Sequence, residues 1–160
     1  MAETGSKHRP DAQKNLVGFV VGDVHYAIEI SRVREIVNPL DVTPLPHTPP
    51  EVAGVADHRG EVVPVIDLRV RFNLEPKPEA RGTKWILITL SSRVVGLVVD
   101  SVTEVFGAQN DDIRPTPDVG GNRDLRGISG VARHEGKLTF VLDTARFLDV
   151  VEALTASGAI

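Results

Sequence analysis

The sequence contains no cysteine, which excludes disulfides, thiolate metal sites and cysteine nucleophiles. That absence fits a reducing compartment. Aromatic residues make up 4%, so the core is expected to be aliphatic, and platforms for stacking nucleic-acid bases are scarce. No stretch approaches the roughly 18 consecutive apolar residues of a membrane helix. The polar opening MAETGSKHRPDAQKN lacks the apolar centre of a signal peptide. The net charge is −4, without the basic excess that marks binding to nucleic acid or to an anionic membrane. Catalytic signatures are missing as well: there is no G-x-S-x-G, no P-loop and no dinucleotide fingerprint. Gly120-Gly121 and the G-x-x-G from Gly127 to Gly130 are weak loop signals. The expectation is a chain with no catalytic residue, no cofactor and no nucleic-acid partner.

What is present is valine, the commonest residue, in short runs divided by turn residues. β-Branched side chains favour strands. LVGFVVGDVHYAIEI (16–30) places two apolar runs around Gly22-Asp23, a hairpin signal. SRVREIV (31–37) reads as a short helix, with Ser31 as N-cap and Ile30, Val33 and Val37 at helical spacing. The five prolines of NPLDVTPLPHTPPEV exclude a central strand or a long helix. GVADHRGEVVPVID (54–67) is another hairpin, turning near Arg59-Gly60, and Asp67 is placed to cap a short helical turn. NLEPKPEARGT (73–83) reads as a linker. WILITLSSRVVGLVVD (85–100) is again two runs about a polar turn. SVTEVFG (101–107) shows Ser101 and Glu104 at capping-box spacing. Residues 110–124 are loop-like, GVARHEGKLTFVLD (130–143) is a hairpin, and Phe147, Leu148, Val151 and Leu154 mark a C-terminal amphipathic helix.

These elements repeat. GVADHRGEVVPVID laid over GVARHEGKLTFVLD matches Gly54 with Gly130, Val55 with Val131, Ala56 with Ala132, His58 with His134, Gly60 with Gly136, Val65 with Val141 and Asp67 with Asp143. Residues 16–37 lie likewise over 85–106, with Val33 on Val102 and Glu35 on Glu104. Two matched pairs in the same order point to duplication. Each half, about 16–72 and 84–150, is too small to be more than marginal alone, so the halves are expected to share a hydrophobic core. Many short strands per half suggest small barrels, which remove exposed sheet edges. The halves differ at informative places: Arg59 stands against Glu135, and Pro64 against Phe140.

At these residues the chain resembles the CheW family of chemotaxis coupling proteins. The family hairpin reads roughly G-V-x-N-L-R-G-x-x-x-P-V-x-D-L-R; here Gly54 to Arg69 reads GVADHRGEVVPVIDLR. V-x-E-I at Val33–Ile36, RVVGLVVD at Arg93–Asp100 and IRPTP at Ile113–Pro117 add to it, so that the resemblance runs from about Leu16 to Leu154. It implies a mainly β fold: two pseudo-symmetric, SH3-like, five-stranded β-barrel subdomains sharing a core, with short helices and a C-terminal helix. The expected organisation is a flexible tail at 1–14, one domain of two interleaved barrels at 15–155, and a C-terminal tail at 156–160. The resemblance implies a non-enzymatic scaffold that couples methyl-accepting chemoreceptors to a CheA-type histidine kinase. Its partners would be the kinase regulatory domain, barrel against barrel, and the helical cytoplasmic tip of the receptors, held in a groove between the halves. It would be cytoplasmic and recruited to receptor arrays, with no direct insertion into the membrane. The family's usual Asn-Leu before Arg-Gly is Asp57-His58 here.

Five residues are candidates for partner binding. Arg59 would orient with Glu35, since an arginine–carboxylate pair can be bidentate; the alternative is a solvated turn residue. Glu35 is the matching acid, although Glu104 repeats it. Val33 offers apolar contact or plain core packing. Gly54 permits a close backbone approach and in the family borders a binding surface. His58 is a titratable neighbour of that surface or an ordinary turn histidine. No carboxylate or histidine lies at ligand spacing around His58 or His134, so no metal site is expected. Two other readings compete: a small nucleic-acid-binding barrel, and a kinase regulatory domain or the coupling half of a longer adaptor. The initial Met and the ending ALTASGAI favour a stand-alone chain over the latter.

Overall fold

The valine-rich runs form strands, and the turns between them set the pairing. In the computed structural model, residues 13–109, 112–115, 127–156 and 158 are described. The strands are β1 (Gln13–Val21), β2 (Val24–Glu29), β3 (Val33–Val37), β4 (Val52–His58), β5 (Glu61–Asp67), β6 (Lys84–Leu90), β7 (Arg93–Val99), β8 (Ser101–Gln109), β9 (Arg114–Pro115), β10 (Ile128–His134) and β11 (Lys137–Leu142). Two helices, α1 (Leu68–Arg71) and α2 (Leu148–Ala156), follow β5 and β11. All four hairpins read from the sequence are present. At Arg59-Gly60 and Glu135-Gly136 both turn residues have positive φ, the conformation that matches the twist of the flanking strands.

Two helix readings are corrected. Residues 31–37 form a single 3-10 turn at Ile30–Arg32 and then strand β3. The capping-box spacing at Ser101 and Glu104 belongs to a continuous strand, β8. The two segments are equivalent in the repeat, and the same physics overrides both helical signals. β-Branched residues fill them, and each finds a strand to pair with: β3 runs antiparallel to β6, and β8 antiparallel to β1. The expected tail at 1–14 lies outside the described residues except for Gln13 and Lys14, which pair with Gln109 and Ala108 of β8. Most of the 110–124 loop reading, and Thr116 and Pro117 of the IRPTP motif, also fall outside them, as does most of the expected 156–160 tail.

The two sheets do not coincide with the two halves of the repeat. One runs β8-β1-β2-β11-β10-β9 and the other β3-β6-β7-β5-β4. Replacing each strand of the second by its repeat equivalent gives β8-β1-β2-β11-β10, the order of the first. The halves therefore exchange their leading hairpins: β1-β2 sits in the barrel of the second half, and β6-β7 in that of the first. Each exchanged hairpin joins by a parallel pairing, Val65 to Gly96 in one barrel and Val141 to Ala27 in the other. The folds are two SH3-like barrels, and β9 adds a short sixth strand to one. Its counterpart in the other is a single bridge from Thr43 to Val55.

This exchange explains why several strands read as unbroken apolar runs. In β6, Trp85 and Leu87 fill the interior of the first barrel with Ala56, Val63, Val65 and Val94. Ile86, Ile88 and Leu90 face the other way, into a core shared with Phe19, Tyr26 and Ile28 of the second barrel. A strand buried on both faces shows no polar alternation. The second barrel's interior is built of smaller side chains: Leu16, Ala27, Ala108, Ala132 and Val141. Phe147 and, from α2, Val150, Val151 and Leu154 close the shared core. Asp67 caps α1 by accepting from the Arg69 N–H at 2.9 Å, and Asp143 does the same for Ala145 at 3.0 Å.

Candidate functional site

The tightest cluster of candidate residues lies at the β4–β5 turn. Gly54 lets it form. A Cβ there would sit 2.2 Å from the Thr43 carbonyl oxygen, and the backbone has φ +148°. The proline-rich segment can therefore cross β4 closely enough for Thr43 and Val55 to exchange backbone hydrogen bonds at 2.8 and 2.9 Å. Further along the hairpin, Asp57 accepts from the Gly60 N–H at 2.9 Å and holds the turn. An asparagine oxygen could accept in the same way, so Asp57 preserves the turn chemistry of the family pattern.

Turn and strand then bring three charged or titratable side chains together. Arg59 donates from Nη1 to Oε1 of Glu35 at 3.2 Å and from Nη2 to Oε2 at 3.1 Å. His58 Nε2 lies 3.2 Å from Glu35 Oε1. The carboxylate thus has a fork-shaped cation on one side and an imidazole on the other. Arg59 remains 74% exposed while Glu35 is 31% and His58 16% exposed. The guanidinium is held in one orientation at the surface, which suits recognition better than it suits stability. His58, standing where the family pattern has leucine, gains a polar partner in Glu35.

Beside this cluster lies an open groove of about 480 Å³, lined by Leu40, Thr43, Val55, Asp57, Gly60 and the exposed Val62. This groove of about 480 Å³ lies on the face of the first barrel. A smaller cavity of about 40 Å³ lies among Asp67, Arg69, Thr83, Val98 and Asp100, beside α1 and β7. Val33 stands apart from the charged cluster: it is half-buried and packs against the shared core.

The second barrel repeats part of the arrangement. His134 Nε2 meets Glu104 Oε2, the equivalent of the His58–Glu35 contact. The equivalent of Arg59 is Glu135, whose Oε2 lies 3.9 Å from His134 Nε2. Folding supplies here the carboxylate neighbours that spacing along the chain did not. The clue in the sequence was that V-x-E and the turn histidine both recur; read together they place a carboxylate against an imidazole twice. Residues 103–106 carry β8 past the β10–β11 turn, and Phe106 stacks on the His134 ring with centroids 3.7 Å apart.

The family model for the CheW-like domain matches residues 15–152. The chemotaxis protein CheW of Rhizobium meliloti (strain 1021) is 33% identical over 138 residues, covering 86% of this chain and 89% of that protein. The chemotaxis protein CheW of Helicobacter pylori (strain ATCC 700392 / 26695) is 32% identical over 149 residues, covering 92% and 89%. Among solved structures, the scaffolding protein TtCheW from Thermoanaerobacter tengcongensis is similar with a TM-score of 0.75 at 29% identity, over 81% of this chain and 88% of that one.

Proposed function

This chain belongs to the CheW-like family, and from that premise we infer that it is a coupling adaptor of chemosensory signalling, linking chemoreceptors to a CheA-type histidine kinase. It performs no chemistry of its own. It acts by holding two partner surfaces in fixed geometry, so that receptor state shifts the population of active kinase. Single contacts can be weak, because repetition across an array raises effective concentration. Among the described residues no helix is long and apolar enough to cross a membrane, so placement at receptors would come from protein contacts.

The observation that carries the site assignment is the bidentate Glu35–Arg59 pair. It is made in one barrel and replaced in the other, where Glu135 stands at the turn, so the shared fold does not require it. We assign Arg59, Glu35 and His58 to the partner-facing surface, with Gly54 shaping the backbone beneath. The neighbouring groove would take an apolar helical face of the receptor tip. Val33 contributes from below, through its packing. The kinase regulatory domain would meet a barrel face edge to edge.

Co-purification with a CheA-type kinase and a receptor signalling fragment tests both levels. Arg59→Glu gives the first turn the residue of the second. The expected result is a folded variant that loses partner binding and kinase activation. If that variant binds and activates as well as the parent, the site assignment is wrong. If the parent itself binds neither partner, the adaptor reading fails for this chain.

A further inference from the structure

The second barrel departs from the first in a way that opens a cavity. About 220 Å³ lies among Gly18, His25, Thr139, Phe106, His134 and Glu135, with Tyr26, Thr103, Glu104 and Lys137 completing the wall. In the first barrel the positions equivalent to Gly18, His25 and Thr139 are Leu87, Val94 and Val63, and all three are buried in its interior. Aliphatic bulk in one barrel is thus replaced by space and polar groups in the other. Thr139 is 4% exposed and lines the cavity.

At the mouth of this cavity stand Glu104, His134 and Glu135, each offering one ligand atom, all within 4.8 Å of one another. The first barrel neutralises Glu35 with the Arg59 guanidinium. The second places Glu135 at that turn position, so two carboxylates converge on one imidazole. Phe106, stacked at an interplanar angle of 12°, fixes the ring plane of His134. One imidazole nitrogen and two carboxylate oxygens suit a borderline first-row divalent cation.

We propose that Glu104, His134 and Glu135 bind a divalent transition-metal ion, with Zn²⁺ as the representative, where the first barrel carries an arginine. Three protein ligands leave a coordination position open for water or a further donor group, and His134, Glu104 and Glu135 all line the cavity. The metal replaces the guanidinium as the positive centre of the second turn, so the two barrels present different cationic surfaces from one duplicated frame. The cluster lies apart from the Arg59 surface, and the inference does not depend on the adaptor reading.

The test is calorimetric titration of zinc chloride into the full chain after treatment with chelator. One saturable site per chain is expected. Glu135→Arg, which restores the first barrel's arrangement, should weaken binding by at least about tenfold, as should His134→Gln; tenfold is the low end for disturbing even the outer shell of a metal site. Circular dichroism of the metal-free variants checks that the fold is kept. Controls at His8→Gln and His47→Asn should bind as the parent does. Absence of a saturable site up to millimolar zinc overturns the proposal. So does binding that survives both cluster substitutions, or that disappears with His8→Gln.

Discussion

Arg69 grips both carboxylate oxygens of Asp100, donating from Nε to Oδ1 at 3.1 Å and from Nη2 to Oδ2 at 3.0 Å. Arg69 lies in α1 behind the first barrel, and Asp100 lies between β7 and β8. Asp100 Oδ2 also accepts from the Gly22 N–H at 2.9 Å, at the turn of the exchanged hairpin β1-β2. Its own N–H donates to the Val20 carbonyl at 2.9 Å. One carboxylate therefore ties together segments from both barrels. The hydrogen bond to Asp100 raises the Arg69 pKa above its already high ordinary value, so the guanidinium stays charged across the working pH range.

Asp100→Ala removes one acid and leaves a largely covered guanidinium and a turn N–H without their acceptor. The expected loss is about 1–3 kcal/mol, the usual cost of stranding polar groups that have lost a partner. Urea denaturation reads it as a lower midpoint with an unchanged slope. An unchanged midpoint would show that the junction is held by the apolar core alone.

Arg59→Glu is expected to behave in the opposite way. The arginine is mostly solvent-exposed, and surface pairs contribute about 0–1 kcal/mol. The thermal midpoint should therefore move little while partner affinity falls. A large drop in the midpoint would mean that the Glu35–Arg59 pair serves the fold, and would remove the reason to assign it to recognition.

Gly54 and Gly60 separate two uses of glycine six residues apart. Gly60→Ala meets nothing within 4 Å, so its cost is only that of φ +81°, about 1 kcal/mol. Gly54→Ala drives a methyl group to 2.2 Å from the Thr43 carbonyl oxygen. It should cost about 2–4 kcal/mol, because the crossing segment must move. Comparing the two denaturation midpoints checks this, and equal midpoints would contradict the close approach.

How much of this was legible in the sequence depends on the range of the interaction. Hairpins are local, and Gly22-Asp23, Arg59-Gly60 and Glu135-Gly136 carried enough turn chemistry to place them. The duplication was also legible, because matched residues survive at the turns. Residues 31–37 and 101–107 carry helical spacing and cap signals, which are local, whereas the strand character of β3 and β8 comes from pairing with β6 and β1. The exchange of hairpins left no mark that periodicity could read, apart from the unbroken apolar runs of β6 and β7. Glu35 and Arg59 were paired correctly because the difference at Glu135 drew attention to the turn. The Glu104–His134–Glu135 cluster is not legible from local spacing, because Glu104 and His134 lie 30 residues apart and meet only through the fold.

Tyr26 is the one tyrosine of the chain, so phenolate absorbance follows a single residue. It stacks between Phe19 and Phe72, with ring centroids 5.8 and 4.7 Å away. Burial disfavours the phenolate and pushes its pKa from 10.0 up to about 12. A pKa raised in the folded state means that the fold prefers the protonated phenol. The associated stability is intact below about pH 10 and is lost as pH rises toward about 12. The native protein should accordingly titrate near 12, and the urea-denatured chain near 10. Circular dichroism recorded alongside distinguishes titration in the folded state from alkaline unfolding. A folded protein whose phenolate appears at the denatured midpoint would show that water reaches the ring, and that the Phe19–Tyr26–Phe72 stack is open.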